Sequence, residues 1–117
     1  HQHNVVHRDI KLASILLAKA GGLDTKLIDF CVATKWHGGE EMSLRCGTAE
    51  FSSPEMMLGA HTQKADMWSI GVVAYTLLTG EPLYSGSAWE IHQRAKEGRP
   101  SLCAQHYNCS AAAQDFV

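Results

Sequence analysis

The segment Lys64 to Thr79 constrains this chain more than any other. Apolar side chains occupy nearly every face of it beyond Ser69, and a helix that is apolar all round is stable only when it is buried. Thr62 stands where it can cap the start, and Gly80 ends the run. The rest of the chain is therefore expected to wrap this helix. Two further helices have their own signals. Ser53 is a good N-cap, Pro54 suits the first helical position and Glu55 favours the dipole of a short helix reaching Leu58. Ser87 and Glu90 form a capping box for a helix to Glu97, stopped by Gly98. Ala88, Ile91, His92 and Ala95 share one of its faces, with Trp89 either in the core or on a surface for partners. A last helix is expected from Ser110 to Val117.

The first third reads differently. Val5-Val6, Ile15 to Leu17 and Lys26-Leu27-Ile28 are short strand-like runs, the last two forming a hairpin across the Ala20-Gly21-Gly22 turn. Between the first two lies His7-Arg8-Asp9-Ile10-Lys11. Asp9 can accept a proton from an attacking hydroxyl and Lys11 can neutralise charge on a phosphoryl group in transit, which is the division of labour that phosphoryl transfer needs. Asp29, at the end of the second hairpin strand, is followed by Phe30 and Cys31. From Val32 to Ser52 the chain is polar, turn-rich and without periodicity.

Composition narrows the class. With 117 residues, 45% hydrophobic and 19% charged, the chain reads as one small globular domain. A net charge of -2 with scattered basic residues gives no electrostatic footprint for nucleic acid. The longest apolar run, Ile70 to Leu78, falls short of the ~20 residues that span a bilayer, so no membrane segment is expected. Cys31, Cys46, Cys103 and Cys109 form no C-x-x-C pair and suit reduced thiols in an intracellular, cytoplasmic setting. His1 and His3 form an H-x-H that reads as solvated, since further ligands are lacking.

Four motifs then occur in order. His7-Arg8-Asp9-Ile10-Lys11 resembles the protein-kinase catalytic loop H-R-D-L-x-x-x-N in its serine/threonine form, with Ser14 in the place of the Asn. Asp29-Phe30-Cys31 resembles D-F-G with Cys for Gly, a change that restricts positive φ. Gly47-Thr48-Ala49-Glu50-Phe51 through Ser53-Pro54-Glu55 resembles the end of an activation segment, and Asp66-Met67-Trp68-Ser69-Ile70-Gly71 resembles the family's D-x-W-S-x-G.

The resemblance implies an α+β fold, namely the mainly helical C-lobe of a serine/threonine protein kinase. It would carry short β-hairpins at the catalytic loop and be incomplete at both ends, with residues 1–117 forming one partial domain. It implies ATP, Mg2+ and a protein substrate as partners, with Asp9, Lys11 and Thr48 catalytic, Lys11, Ser14 and Asp29 toward the nucleotide, and Asp29 and Ser14 toward the metal. Thr48 would hydrogen-bond Asp9 and Lys11, Asp66 would brace the backbone of the catalytic loop, and a downstream Arg would pair with Glu55. No Gly-rich loop, V-A-I-K lysine or helix-C glutamate is present, so the lobe that covers ATP is not expected here. Details such as Gly-Thr-Ala-Glu-Phe look most like the calcium/calmodulin-dependent and calcium-dependent group, with calcium regulation residing outside this chain. Ser14 and Cys31 motivate the alternative, a pseudokinase or non-catalytic protein-binding module.

Overall fold

The computed structural model describes residues 1–98 together with 110, 112 and 113. Strands β1 (Val5–Val6), β2 (Ile15–Leu17), β3 (Thr25–Leu27) and β4 (Thr34–Lys35) come first, followed by helices α1 (Pro54–Leu58), α2 (Lys64–Thr79) and α3 (Ala88–Glu97). Single 3-10 turns occupy Leu12–Ser14 and Ala49–Phe51. Among the described residues this is an α+β piece with three α-helices and two antiparallel strand pairs.

The expected hairpin forms between β2 and β3, with Ile15 opposite Leu27 and Leu17 opposite Thr25. Its second strand lies one residue earlier than the apolar run suggested. Ile28 leaves the ladder and donates its N–H to the Ser14 carbonyl at 2.9 Å. The other pair is not a hairpin: β1 joins β4, Val5 opposite Lys35 and Val6 opposite Thr34. Strand β4 falls inside the stretch that lacked periodicity, because two residues of pairing carry too little pattern to read locally.

Helix α1 starts as its sequence dictates, Ser53 Oγ accepting from the Met56 N–H at 3.3 Å, and closes on Gly59 in the left-handed region. In α3 both halves of the capping box are made, the Glu90 carboxylate accepting from the Ser87 N–H at 2.8 Å. Thr62 Oγ1 accepts from the Lys64 N–H at 3.3 Å, one place before the capping position, which Gln63 occupies.

The core lies where α2, α3 and the Ala49–Phe51 turn meet. Val72, Tyr84, Ile91 and Ala95 are buried together, with Phe51, Met57, Trp68 and Leu83 packed around them. Trp68 and Tyr84 stack with centroids 6.2 Å apart. Of the α3 face, Ile91 and Ala95 are buried, His92 is half-buried, and Ala88 and Trp89 are exposed. Burying a side chain such as Ile91 stabilises by roughly 1.5–3 kcal/mol. The expectation that α2 is buried on every side is corrected: Met67, Leu77 and Leu78 are exposed. The buried residues of the helix are Ala65, Asp66, Ser69, Val72 and Val73, while Ile70, Ala74 and Tyr75 are half-buried.

Of the helix expected from Ser110, only Ser110, Ala112 and Ala113 are described. The Ser110 hydroxyl accepts from the Ala113 N–H at 3.2 Å, and the rest of that expectation, with Cys103 and Cys109, lies outside the described residues. No described helix is long and apolar enough to cross a membrane.

Candidate active site

Asp9, Lys11 and Thr48 come together from two segments 37 or more residues apart. The Asp9 carboxylate receives three donors. Thr48 gives it both its backbone N–H and its hydroxyl, each at 2.8 Å to Oδ1, and Lys11 Nζ lies 2.7 Å from Oδ2. Lys11 Nζ also donates to Thr48 Oγ1 at 3.0 Å, closing a triangle. The hydrogen bond to Asp9 raises the Lys11 pKa above its ordinary value, so this ammonium stays charged throughout the neutral range.

Gly47 makes that triangle possible. It has φ +86, and a Cβ there would stand 2.6 Å from the Arg8 carbonyl oxygen, so only glycine lets the chain come close enough to aim Thr48 at Asp9. The requirement depends on a contact between residues far apart in sequence, which local pattern does not reveal.

Beneath the triangle the loop is held by Asp66 on α2. Its carboxylate accepts the backbone N–H groups of His7 and Arg8, both at 2.8 Å, and lies 2.9 Å from His1 Nε2. His1 is exposed, in line with its reading as a solvated residue, and also rests on this carboxylate. The loop is also tied to the strand after it. His7 Nε2 is 2.9 Å from the Ile28 carbonyl, the His7 ring meets Phe30 edge-on at 4.7 Å, and Arg8 Nε donates to the Val32 carbonyl at 2.7 Å. Sequence reasoning gave Arg8 no such structural part, although a buried arginine demands acceptors of this kind.

Ser14 is fully buried. Its hydroxyl accepts from the Lys11 N–H at 2.9 Å and donates to the Lys11 carbonyl at 2.8 Å, shaping the turn that carries Lys11. Asp29 is exposed and sits at φ 64, an uncommon conformation for a residue with a Cβ, costing roughly 1–2 kcal/mol. Positive φ therefore falls on Asp29; Cys31 is not among the residues with that conformation. Hydrogen bonding from the Cys31 thiol holds the Asp29 carboxyl below its ordinary pKa, with Lys11 adding a smaller attraction. The same bond raises the Cys31 thiol. Asp29 is thus an ionised oxygen donor on the Lys11 side of the loop, a fit for Mg2+, which takes one or two carboxylates and fills its remaining positions with water and phosphate oxygens.

All 117 residues match the family model of the protein kinase domain. The chain belongs to the protein kinase domain family. Calcium-dependent protein kinase 4 of Plasmodium falciparum is 37% identical over 121 residues, covering 100% of this chain and 23% of that protein. Sperm motility kinase 3A of Mus musculus is 36% identical over 120 residues, covering 100% of this chain and 23% of the relative. Serine/threonine-protein kinase PLK1 of Xenopus laevis is 37% identical over 116 residues, covering 97% and 19%. The chain spans less than a quarter of the length of these relatives. All three are named as kinases, of more than one kind, and the last as a serine/threonine-protein kinase, which supports protein kinase activity at the level of the family.

Proposed function

We propose that this kinase-domain chain is the C-lobe part of a serine/threonine protein kinase that transfers the ATP γ-phosphate to protein hydroxyls. The observation that carries the reading is the closed triangle of Asp9, Lys11 and Thr48. Asp9 acts as the base toward the incoming hydroxyl, Thr48 fixes the direction of its carboxylate, and Lys11 offsets negative charge where phosphate is transferred. ATP with Mg2+, when bound, supplies the activated phosphoryl group and neutralises its charge. Asp29 and Lys11 are the residues of this chain that hold it. Ser14 joins them as a metal ligand only if its hydroxyl exchanges its bonds to the Lys11 backbone. Membership of the calcium-dependent group rests on motif likeness and on one kind among several relatives; calcium control would reside elsewhere in the longer protein.

A second reading is favoured by the engagement of the Ser14 hydroxyl, which leaves Asp29 as the principal metal-holding group and describes a pseudokinase or protein-binding module. One comparison separates the two, made in a complete kinase domain that includes this chain. If the enzyme reading is correct, Asp9→Asn lowers kcat at least a hundredfold while ATP affinity holds, and Ser14→Asn raises kcat about tenfold, or roughly 1.4 kcal/mol of transition-state stabilisation. Full retention of activity in Asp9→Asn removes the enzyme reading, and complete absence of turnover in the parent and in Ser14→Asn establishes the pseudokinase.

A further inference from the structure

A second cleft lies away from Asp9, between the segment after β4 and the start of α2. It has a volume of about 600 Å³ and is lined by Trp36, Glu40, Glu41, Glu55, His61 and Lys64 among others. Among the described residues, the only ion pairs join His1 to Asp66 and Lys11 to Asp9, so Glu40, Glu41 and Glu55 face the cleft without a cationic partner. His61 adds an independent demand. It is 1% exposed, and neither ring nitrogen has a hydrogen-bond partner among the described residues. A buried polar group of this kind ordinarily finds a partner.

The cleft is built, not incidental. Met42 and His61 exchange backbone hydrogen bonds at 2.8 and 3.1 Å, which pins the acidic segment to the approach to α2. Trp36 Nε1 donates to the Glu40 carbonyl at 2.7 Å, and Gly38 and Gly39, both with positive φ, turn the chain between them. The carboxylates are thereby held on a closed loop beside an indole.

We propose that this cleft docks an arginine-bearing segment of a protein partner. A guanidinium brings five N–H donors in a planar fork, which suits paired carboxylates, and it stacks on aromatic faces such as that of Trp36. An imidazole kept neutral still offers one ring nitrogen as an acceptor. Burial lowers the His61 pKa, Arg8 acts in the same direction, and Glu55 and Asp66 oppose it. The downstream Arg that the family resemblance implies for Glu55 would neutralise one carboxylate and leave Glu40 and Glu41 for the partner.

The test uses the 117-residue chain and a fluorescently labelled tetra-arginine peptide, without nucleotide, so its result is independent of whether the protein is an active kinase. Binding is read by anisotropy at 0.15 M salt. The double variant Glu40→Gln, Glu41→Gln is expected to raise Kd at least tenfold, whereas Asp24→Asn, Glu97→Gln, which removes the same charge elsewhere on the exposed surface, changes it less than twofold. Equal weakening by the two double variants reduces the effect to general charge attraction and overturns the proposal. So does the absence of saturable binding to the unaltered chain. A tetra-lysine peptide that binds as tightly as tetra-arginine overturns the assignment of a guanidinium.

Discussion

The two ends of α2 are held in different ways. At its start Asp66 is buried and works through directed polar bonds, receiving the His7 and Arg8 N–H groups from a segment almost sixty residues earlier in the chain. At its middle and end, Val72 and Val73 are buried by apolar contact, while Leu77, a turn further on, is 70% exposed. Polar bonds fix positions to within a few tenths of an ångström; apolar contact rewards area removed from water and tolerates repacking. Asp9 and Lys11 follow directly on the backbone that this polar end holds.

That contrast can be broken by substitution, beginning where the effect should be greatest. Asp66→Ala leaves the His7 and Arg8 N–H groups without acceptors in a buried place, and an expected loss of about 4 kcal/mol follows from roughly 1–3 kcal/mol per orphaned donor. Equilibrium urea unfolding measures it; a loss below 1 kcal/mol would show that the loop does not depend on this carboxylate. Val72→Ala, in the apolar part of the same helix, should cost about 2 kcal/mol through lost burial and residual cavity. A cost larger than that of Asp66→Ala would reverse the ranking of the two ends.

Thr48→Val keeps the backbone N–H bond to Asp9 but removes the hydroxyl that joins Asp9 to Lys11. The expected destabilisation is about 1 kcal/mol. Calorimetric melting of the variant beside the parent would detect it, and an unchanged transition would mean that the triangle adds nothing to folding. Leu77→Gln should change stability by no more than about 0.5 kcal/mol, because the side chain is already in water. A large loss in the same unfolding assay would mean that this face is covered in solution.

Much of the site was legible before any geometry was known. Asp9, Lys11 and Thr48 lie in motifs of fixed spacing, and the hydrogen bonds expected of Thr48 toward Asp9 and Lys11, and of Asp66 toward the loop backbone, are made. Helix ends were legible for a local reason, since Ser53 and Ser87 reach N–H groups only three residues away. Strand β4 was not, because two residues facing Val5 and Val6 acquire their conformation from a distant partner.

By itself, then, the sequence determined the elements whose causes lie within a few residues, and the hydrogen-bonding residue types at Asp9, Lys11 and Thr48. Only tertiary structure decided where those groups point. The bare glycine against the Arg8 carbonyl and the pairing of His61 with Met42 each arise from an approach between segments remote along the chain. Periodicity and capping report on one helix or strand at a time, whereas such approaches depend on how several elements share the same space.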